Sequence, residues 1–323
     1  MTAPAATRTP HSPALATALV ALAACCFGSI TILVTLATRT GAPLLSVLAW
    51  RYLLGAATLT VLAGGVGALR AAHGRYARLL VLGGGGQAAI AFTSLYALRF
   101  IPIAALVFLF YTYPAWIALL AVLRRDEPVG ARKVVAIGLS LGGIALMVGA
   151  PAAASLRPAG VVLALAAALM YGVYVPFIGR LSGDVPSRVV AALVAYGGTV
   201  AFAAVGVVAA LAPGAPRAEL ALTAMLSATA WASIVALAVV STALAFVLFL
   251  SGLAVLGPVR TAIVSTIEPF WASLLGALVL HQSLGWPTIA GGALIAGAVL
   301  LLQLPQRDRT PARIDRLDEP ASQ

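Results

Sequence analysis

Charged residues are scarce in this sequence, and their scarcity excludes a water-soluble protein. Asp, Glu, Lys and Arg make up 9% of the 323 residues, whereas a soluble globular domain carries about 25%. Apolar residues make up 62% of the chain, and the mean hydropathy is +1.06. Because no soluble core could enclose so much apolar surface, the composition predicts an integral membrane protein.

Cysteine and aromatic residues are also few. The two cysteines, Cys25 and Cys26, are neighbours inside an apolar run, which excludes a disulfide framework. Aromatic residues make up only 7% of the chain, and Ala, Leu, Val and Gly dominate the apolar runs. The small residues among these, Ala and Gly, allow helices to approach closely in a membrane.

Histidine is missing from the interior of the apolar runs. His11, His73 and His281 all lie outside the interior of such runs, so they cannot form a buried metal or acid–base site. Gly83–Gly86 is not followed by the Lys-Ser/Thr pair of a phosphate-binding loop, and it is interpreted as a close-contact or hinge point. The sequence therefore predicts no cofactor, no metal site and no ATP-driven machine.

Ten apolar runs are each long enough to cross a bilayer. A hydrocarbon core about 30 Å thick takes about 20 residues of helix. The polar ends, 1–12 and 305–323, are predicted to be disordered tails. The runs predict transmembrane helices at 13–36, 44–69, 79–98, 102–123, 134–150, 159–178, 189–211, 228–250, 257–280 and 287–304.

Basic residues are distributed unequally between the two sides of these helices. Fourteen fall in the two tails and in the second, fourth and sixth loops, whereas the loops on the other side hold only Arg39, Arg99, Arg157 and Arg217. Cytoplasmic loops carry the excess of Lys and Arg, so both termini are predicted to be cytoplasmic. The net charge of +11 then suits the anionic inner leaflet of the bilayer rather than nucleic acid.

An internal repeat divides the chain. The segment 114–120, Pro-Ala-Trp-Ile-Ala-Leu-Leu, recurs 155 residues later as Pro-Phe-Trp-Ala-Ser-Leu-Leu at 269–275. Because each unit holds five predicted helices, an odd number, the second unit begins from the opposite side of the membrane. The sequence therefore predicts an all-α polytopic membrane protein with ten transmembrane helices, arranged as two inverted five-helix repeats over 13–150 and 159–304.

Three short motifs carry a resemblance to a known family. Trp50-Arg51-Tyr52, Tyr111-Thr112-Tyr113-Pro114 and Ile267-Glu268-Pro269, in this order and with the repeat, resemble the EamA-like branch of the drug/metabolite transporter superfamily over residues 15–304. In one respect the sequence departs from the family. The family commonly has an acidic residue after both the fourth and the ninth helix, but the counterpart of Glu127 is Gln282.

The resemblance implies a function. It implies a secondary active transporter in the cell's inner membrane that exports a small metabolite, amino acid or drug-like compound by alternating access between the repeats. A membrane-embedded enzyme or a non-transporting membrane scaffold is the alternative. The expected partners are a small-molecule substrate, the lipid bilayer and no nucleic acid, with a homodimer as a further option.

Glu268 is the only carboxylate inside a predicted helix. It lies close to the midplane, where inverted-repeat transporters bind their substrates. A charge at that depth costs about 2.5–3.5 kcal/mol on insertion scales. Glu268 is therefore predicted either to bind a cationic group or a proton in a cavity, or to form a structural ion pair with Arg51 or Arg260. Arg51 is a candidate to bind a substrate carboxylate, and snorkelling to the interface is the alternative.

Further candidates surround two prolines. A proline removes one backbone hydrogen bond, so Pro114 and Pro269 predict helix kinks with free carbonyls near a cavity. For Trp116 and Trp271, which follow the two prolines, ordinary core packing is the alternative to a place in the cavity wall. The small residues at 138/142 and 293/297 are interpreted as a packing face within the monomer or in a homodimer. The remaining predicted wall residues are Tyr111, Tyr113, Trp116, Trp271, Gln87, Thr266, Tyr171 and Tyr174.

Overall fold

Helices make up the fold of the described chain. The computed structural model describes residues 12–97, 100–101, 103–126, 129–149, 157–211, 220–280 and 285–304, and no strand occurs among them. The predicted tails at 1–11 and 305–323, together with Glu127 and Gln282, lie outside the described residues. The helices are α1 (Pro13–Arg39), α2 (Leu44–Ala63), α3 (Tyr76–Val81), α4 (Ala88–Ala97), α5 (Ile103–Phe110), α6 (Tyr113–Leu123), α7 (Ala131–Val148), α8 (Pro158–Ser182), α9 (Ser187–Leu211), α10 (Ala228–Ala238), α11 (Ala245–Ser265), α12 (Ile267–Leu280) and α13 (Trp286–Gln303).

Seven helical stretches of the described chain are long and apolar enough to cross a membrane. Two shorter apolar helices, Ile267–Val279 and Trp286–Leu302, follow them. The predicted class, an all-α multi-pass membrane protein, is confirmed. The predicted second helix was too long, because Gly64 and Gly65 adopt φ values of 102° and 95° that end α2 at Ala63. The following residues, Val66–Arg75, form a 3₁₀ helix instead.

Two π-helical turns interrupt long helices at related positions. One, Leu82–Gln87, joins α3 to α4, and the other, Val239–Leu244, joins α10 to α11. Their starts are 157 residues apart, close to the offset of the sequence repeat. A π turn widens the helix by one residue, and such turns occur frequently at functional sites.

Two further interruptions precede the repeated prolines. Helix α5 ends before Thr112, and α11 ends before Thr266. Each threonine hydroxyl donates a hydrogen bond to the carbonyl three residues earlier, Thr112 to Leu109 and Thr266 to Ile263, both at 2.6 Å. The chain is therefore broken into two helices, rather than merely bent, at the two places where kinks were predicted.

Helices of the first half pack against helices of the second half. Helix α1 contacts α10, α11 and α12, while α8 contacts α4, α5 and α6. Helices α2 and α9 pack together, as do α7 and α13. The largest buried cluster lies along these contacts and includes Leu59, Ile117 and Leu193.

Glycines allow the closest of these approaches. At Gly172 of α8 an added Cβ would lie 2.9 Å from the Cβ of Trp116, and at Gly28 of α1 it would lie 3.2 Å from Cδ1 of Trp271. Each repeated tryptophan thus packs on a glycine in the first long helix of the other half.

The predicted monomer packing of the small residues at 138/142 and 293/297 is wrong. No heavy atom lies within 4 Å of a Cβ built on Gly138, Gly142 or Gly297. Helices α7 and α13 instead meet through Gly143 and Gly291. The register of the contact is shifted because the buried stripe of α7 runs through Ser140, Gly143 and Ile144.

Candidate functional site

A cavity of about 240 Å³ lies between helices of both halves. Among the side chains that line it, Arg51 of α2 and Glu268 of α12 are charged. Because one comes from each half, the helix–helix contacts described above determine where the two charges lie. The lining residues are Phe27, Ile30, Leu48, Arg51, Tyr52, Gln87, Ile90, Ala91, Ser94, Phe110, Tyr113, Tyr171, Tyr174, Ile178, Phe202, Phe246, Phe249, Leu250 and Glu268.

Aromatic side chains are concentrated at this cavity. The chain has 23 Phe, Tyr and Trp residues, and nine of them line the cavity. They also contact each other: the rings of Tyr113 and Tyr171 lie 4.7 Å apart at 86°, and those of Phe27 and Phe246 lie 5.7 Å apart. Such edge-to-face pairs stabilise a fixed arrangement. The walls therefore offer rigid apolar surfaces on which an apolar or aromatic group could pack.

Glu268 occupies the first turn of α12, directly after the break at Thr266. Its side chain lines the cavity and is partly exposed there. The positive end of the α12 dipole favours a negative charge at this position, and the hydroxyl of Tyr111 donates a hydrogen bond to its carboxyl group. The sequence alone left open an ion pair with Arg51 or Arg260, but among the described residues Glu268 forms no ion pair with either.

Arg51 is held by the second π turn. Its Nε donates to Oγ1 of Thr242 at 2.8 Å, and its Nη2 donates to the carbonyl of Ser241 at 3.2 Å. Because the turn is π-helical, the hydroxyl of Thr242 donates to the carbonyl five residues earlier, at Leu237, and remains an acceptor for Arg51. The guanidinium also lies 5.2 Å from the ring centre of Tyr52. With 6% exposure, Arg51 does not snorkel to the interface.

Two polar atoms at the cavity have no hydrogen-bond partner among the described residues. They are Oε1 of Gln87 and the hydroxyl of Tyr174, and both side chains line the cavity. Tyr174 is only 6% exposed. Buried polar atoms nearly always have a partner, protein or water, so these two atoms are available to a bound molecule.

The cavity collects most of the predicted site residues. Arg51, Gln87, Tyr113, Tyr171, Tyr174 and Glu268 all line it, and Tyr111 joins them through its hydrogen bond to Glu268.

Three predicted wall residues are placed elsewhere. Trp116 and Trp271 pack on Gly172 and Gly28, as the core-packing alternative described. Thr266 is fully buried, and its Oγ1 lies 3.2 Å from Oγ of Ser140. These three side chains form helix contacts behind the wall, so a direct contact with substrate stays a prediction for them.

Sequence reasoning missed the phenylalanine wall and Tyr52. Phenylalanine has no polar group that would single it out in an apolar run, although it is rare in helices built mainly of Ala, Leu and Val. Its scarcity was the available signal, because large side chains lie where a small-residue helix bundle leaves space. The missed lining aromatics are Phe27, Tyr52, Phe110, Phe202, Phe246 and Phe249.

Within the described ranges, two ion pairs join the halves at the basic-loop end of the molecule. Nη1 of Arg75 lies 2.6 Å from Oδ1 of Asp184, and Arg180 pairs with Asp126. The hydrogen bond from Arg75 lowers the pKa of the Asp184 carboxyl below its ordinary value of 3.8. The same guanidinium donates to the carbonyl of Ser182 at 3.2 Å, so it bridges the loop that follows α8.

Comparisons with known proteins give a family match and a fold match. The EamA-like transporter family matches the chain twice, over residues 14–149 and 158–304. A protein of known crystal structure is similar over 90% of this chain and 97% of its own length, with a TM-score of 0.74 and 21% sequence identity. That likeness concerns the fold. No match to the sequence was found among curated proteins.

Proposed function

The chain belongs to the EamA-like transporter family, a family of membrane transporters rather than enzymes, and we propose that it is a secondary active transporter for a small organic solute. One observation carries the proposal: a central cavity takes walls from both halves and contains two opposite charges that are not paired with each other. In this proposal, the cavity is exposed to the two sides of the membrane in turn.

We further propose that the two matched segments are inverted repeats of five membrane crossings each. The reciprocal contacts of Trp116 with Gly172 and of Trp271 with Gly28 support this, since a pseudo-twofold axis would relate them. The 38-residue helical stretch Ala228–Ser265 would be about 57 Å long at 1.5 Å per residue. It is broken at Gly257, where φ is 74°, which supports two crossings in place of one.

The substrate proposed for this cavity is a small zwitterion with an apolar body, as in an amino acid. A carboxylate would bind Arg51, an ammonium group would bind Glu268, and the apolar body would pack on the aromatic wall. A simple cation would be attracted by Glu268 but repelled by Arg51. A zwitterion matches both charges, because charge-assisted hydrogen bonds are the stronger ones.

Orientation, direction and assembly are further parts of the proposal. The excess of basic residues at the end of the molecule that holds Arg75 and Arg180 supports a cytoplasmic location for that end and for both termini. A place in the inner membrane of the cell and contact with its anionic lipids agree with this orientation, whereas export from the cell rests on the family resemblance alone. The exposed small residues Gly138 and Gly142 would suit a homodimer face.

A transport assay with purified protein tests the function. Wild-type protein in liposomes is given a panel of radiolabelled amino acids, amines and carboxylic acids, one at a time. We expect uptake above that of protein-free liposomes for one or more zwitterions, and at least a tenfold loss with Glu268→Gln. The matched control, Asp308→Asn, removes a carboxylate from the C-terminal tail and should transport normally. Absence of uptake across the panel, or uptake confined to simple cations or anions, would contradict the proposed substrate class.

A further inference from the structure

An apolar groove adjoins the central cavity on the lipid-facing side. Its volume is about 440 Å³, and α2, the first π turn, α4 and α9 form its walls. Its outer lining includes Phe92, which is 62% exposed, and Val205, which is 40% exposed, so the groove opens towards the bilayer. Neither Arg51 nor Glu268 lines it.

Two side chains line both the groove and the cavity. They are Leu48 of α2 and Phe202 of α9, and they therefore form the partition between the two spaces. The ring of Phe202 lies 5.5 Å from that of Tyr52, inside the cavity. Arg51 and Tyr52 follow Leu48 by three and four residues, so they lie on the same face of α2. The charged part of the cavity thus begins one helical turn beyond the partition.

The first π turn and α4 contribute to both spaces. Gly85 and Ala88 line the groove, whereas Gln87 and Ala91 line the cavity. Gly85 has open space where a side chain would be, with no heavy atom within 4 Å of an added Cβ. The groove therefore runs beside a glycine-rich turn and has room for a side chain there.

We propose that this groove is a lateral passage through which the apolar body of the substrate moves between the bilayer and the cavity, with Leu48 and Phe202 as its inner gate. The proposal rests on the proposed function and narrows the substrate class to amphiphiles that partition into membranes. Apolar walls lead to a chamber with two opposite charges, which matches a molecule with an apolar body and a small zwitterionic head. A lipid chain that stays in the groove, or a second copy of the protein seated on it, would be a different occupant.

Thiol labelling tests the passage without relying on transport. A single cysteine is placed in the cavity by Ser94→Cys, in a background with Cys25→Ala and Cys26→Ala. The protein in liposomes is treated with pyrenylmaleimide, which partitions into the bilayer, or with a charged methanethiosulfonate, which stays in water. Gly85→Trp fills the groove, Ala89→Trp is a second plug at another lining position, and Leu48→Ala removes part of the gate. The matched control is Leu300→Trp, on the exposed face of α13.

We expect the two plugs to slow pyrenylmaleimide labelling at least fivefold and to change methanethiosulfonate labelling less than twofold. Leu48→Ala should accelerate pyrenylmaleimide labelling, and Leu300→Trp should have no effect. Unchanged labelling with both plugs, as for a resident lipid chain, would overturn the proposal. So would equal slowing of both reagents, or a change of oligomeric state with either plug. If labelling behaves as expected but no solute is transported, the passage stands and the proposed function fails.

Discussion

Arg51 and Glu268 line one cavity from different halves of the chain, yet they do not form an ion pair. Each has a protein partner of its own, Thr242 for Arg51 and Tyr111 for Glu268. Neither partner neutralises the charge. A charge held by neutral groups in an apolar bundle keeps its capacity to bind an opposite charge, and the two charges therefore form a template for a dipolar ligand.

Arg51 and the residue that positions it can be tested together. Arg51→Gln should weaken substrate binding about 10- to 100-fold, the equivalent of losing about 1.5–3 kcal/mol of charged hydrogen bonding. Thr242→Val keeps the charge but removes the hydrogen bond to Nε, so its effect should be smaller. The matched control is Thr58→Val, because the hydroxyl of Thr58 bonds only to Leu54 of its own helix. Binding is measured by calorimetry in detergent, and an equal effect of both threonine variants would contradict the positioning role.

Two tyrosines should separate binding from stability. The hydroxyl of Tyr174 has no partner in the described part of the chain, so Tyr174→Phe should leave the melting temperature unchanged but weaken binding about 3- to 10-fold, as for one neutral hydrogen bond. The hydroxyl of Tyr196 lies 3.2 Å from Oγ1 of Thr60, away from the cavity. Tyr196→Phe should therefore cost about 0.5–1.5 kcal/mol of stability and leave binding unchanged. If Tyr196→Phe weakened binding and Tyr174→Phe lowered the melting temperature instead, the hydroxyl of Tyr174 would not be the one that contacts the substrate.

The ion pair between Arg75 and Asp184 should affect transport more than stability. The pair is exposed, and exposed pairs contribute little to folding, but it connects the halves at the basic-loop end of the molecule. Asp184→Asn should favour the state that is open at that end and change the transport rate at least twofold. The charge swap Arg75→Asp with Asp184→Arg should restore it. A swap that behaves no better than the single variants would show that the pair itself does not matter.

The pH dependence of the same pair follows from the lowered pKa of Asp184. A carboxyl whose pKa is lower in the folded state contributes stability above its unfolded pKa and loses it as the pH falls through the folded value. For Asp184 that window lies below the ordinary value of 3.8, so its contribution is constant from pH 8 to pH 5. Any pH dependence that wild-type transport shows between pH 8 and pH 5 should therefore also be seen in Asp184→Asn. If the variant lost that pH dependence, the lowered pKa of Asp184 would be contradicted.

The glycine–tryptophan contacts predict a stability effect outside the cavity. Gly172→Ala places a Cβ 2.9 Å from the Cβ of Trp116, so α6 and α8 must separate, at about 1–3 kcal/mol for an overpacked contact. In Gly138→Ala the new methyl meets no atom, and alanine is about 1 kcal/mol better than glycine in a helix. Thermal unfolding in detergent should thus show a lower melting temperature for the first variant and an equal or higher one for the second.

The sequence predicted the broad architecture because membrane constraints are simple. The lengths of the apolar runs predicted the helices. The two repeated prolines predicted the breaks near Thr112 and Thr266. The cost of an isolated charge in lipid singled out Arg51 and Glu268. Which side chains face the cavity depends on helix rotation, which this sequence encodes weakly because most of its helices are apolar on every face.

The remaining differences have the same physical origin. Trp116 packs on Gly172 of α8 and does not line the cavity, so its contact with substrate stays a prediction. The contact of α7 with α13 uses Gly143 and Gly291, next to the small residues that were proposed. The π turn that positions Thr242 under Arg51 has no sequence signature comparable to a proline.

The most direct test of the central claim is substrate uptake into liposomes, measured for Glu268→Gln against wild type. A radiolabelled zwitterion identified in the panel is added outside the vesicles, and its accumulation inside is followed over time. Wild-type protein and Tyr196→Phe should give equal uptake, and Glu268→Gln should give at most a tenth of it, because the carboxylate that binds the cationic group is gone. Wild-type uptake in Glu268→Gln would remove Glu268 from the mechanism and contradict a transport cycle built around this cavity.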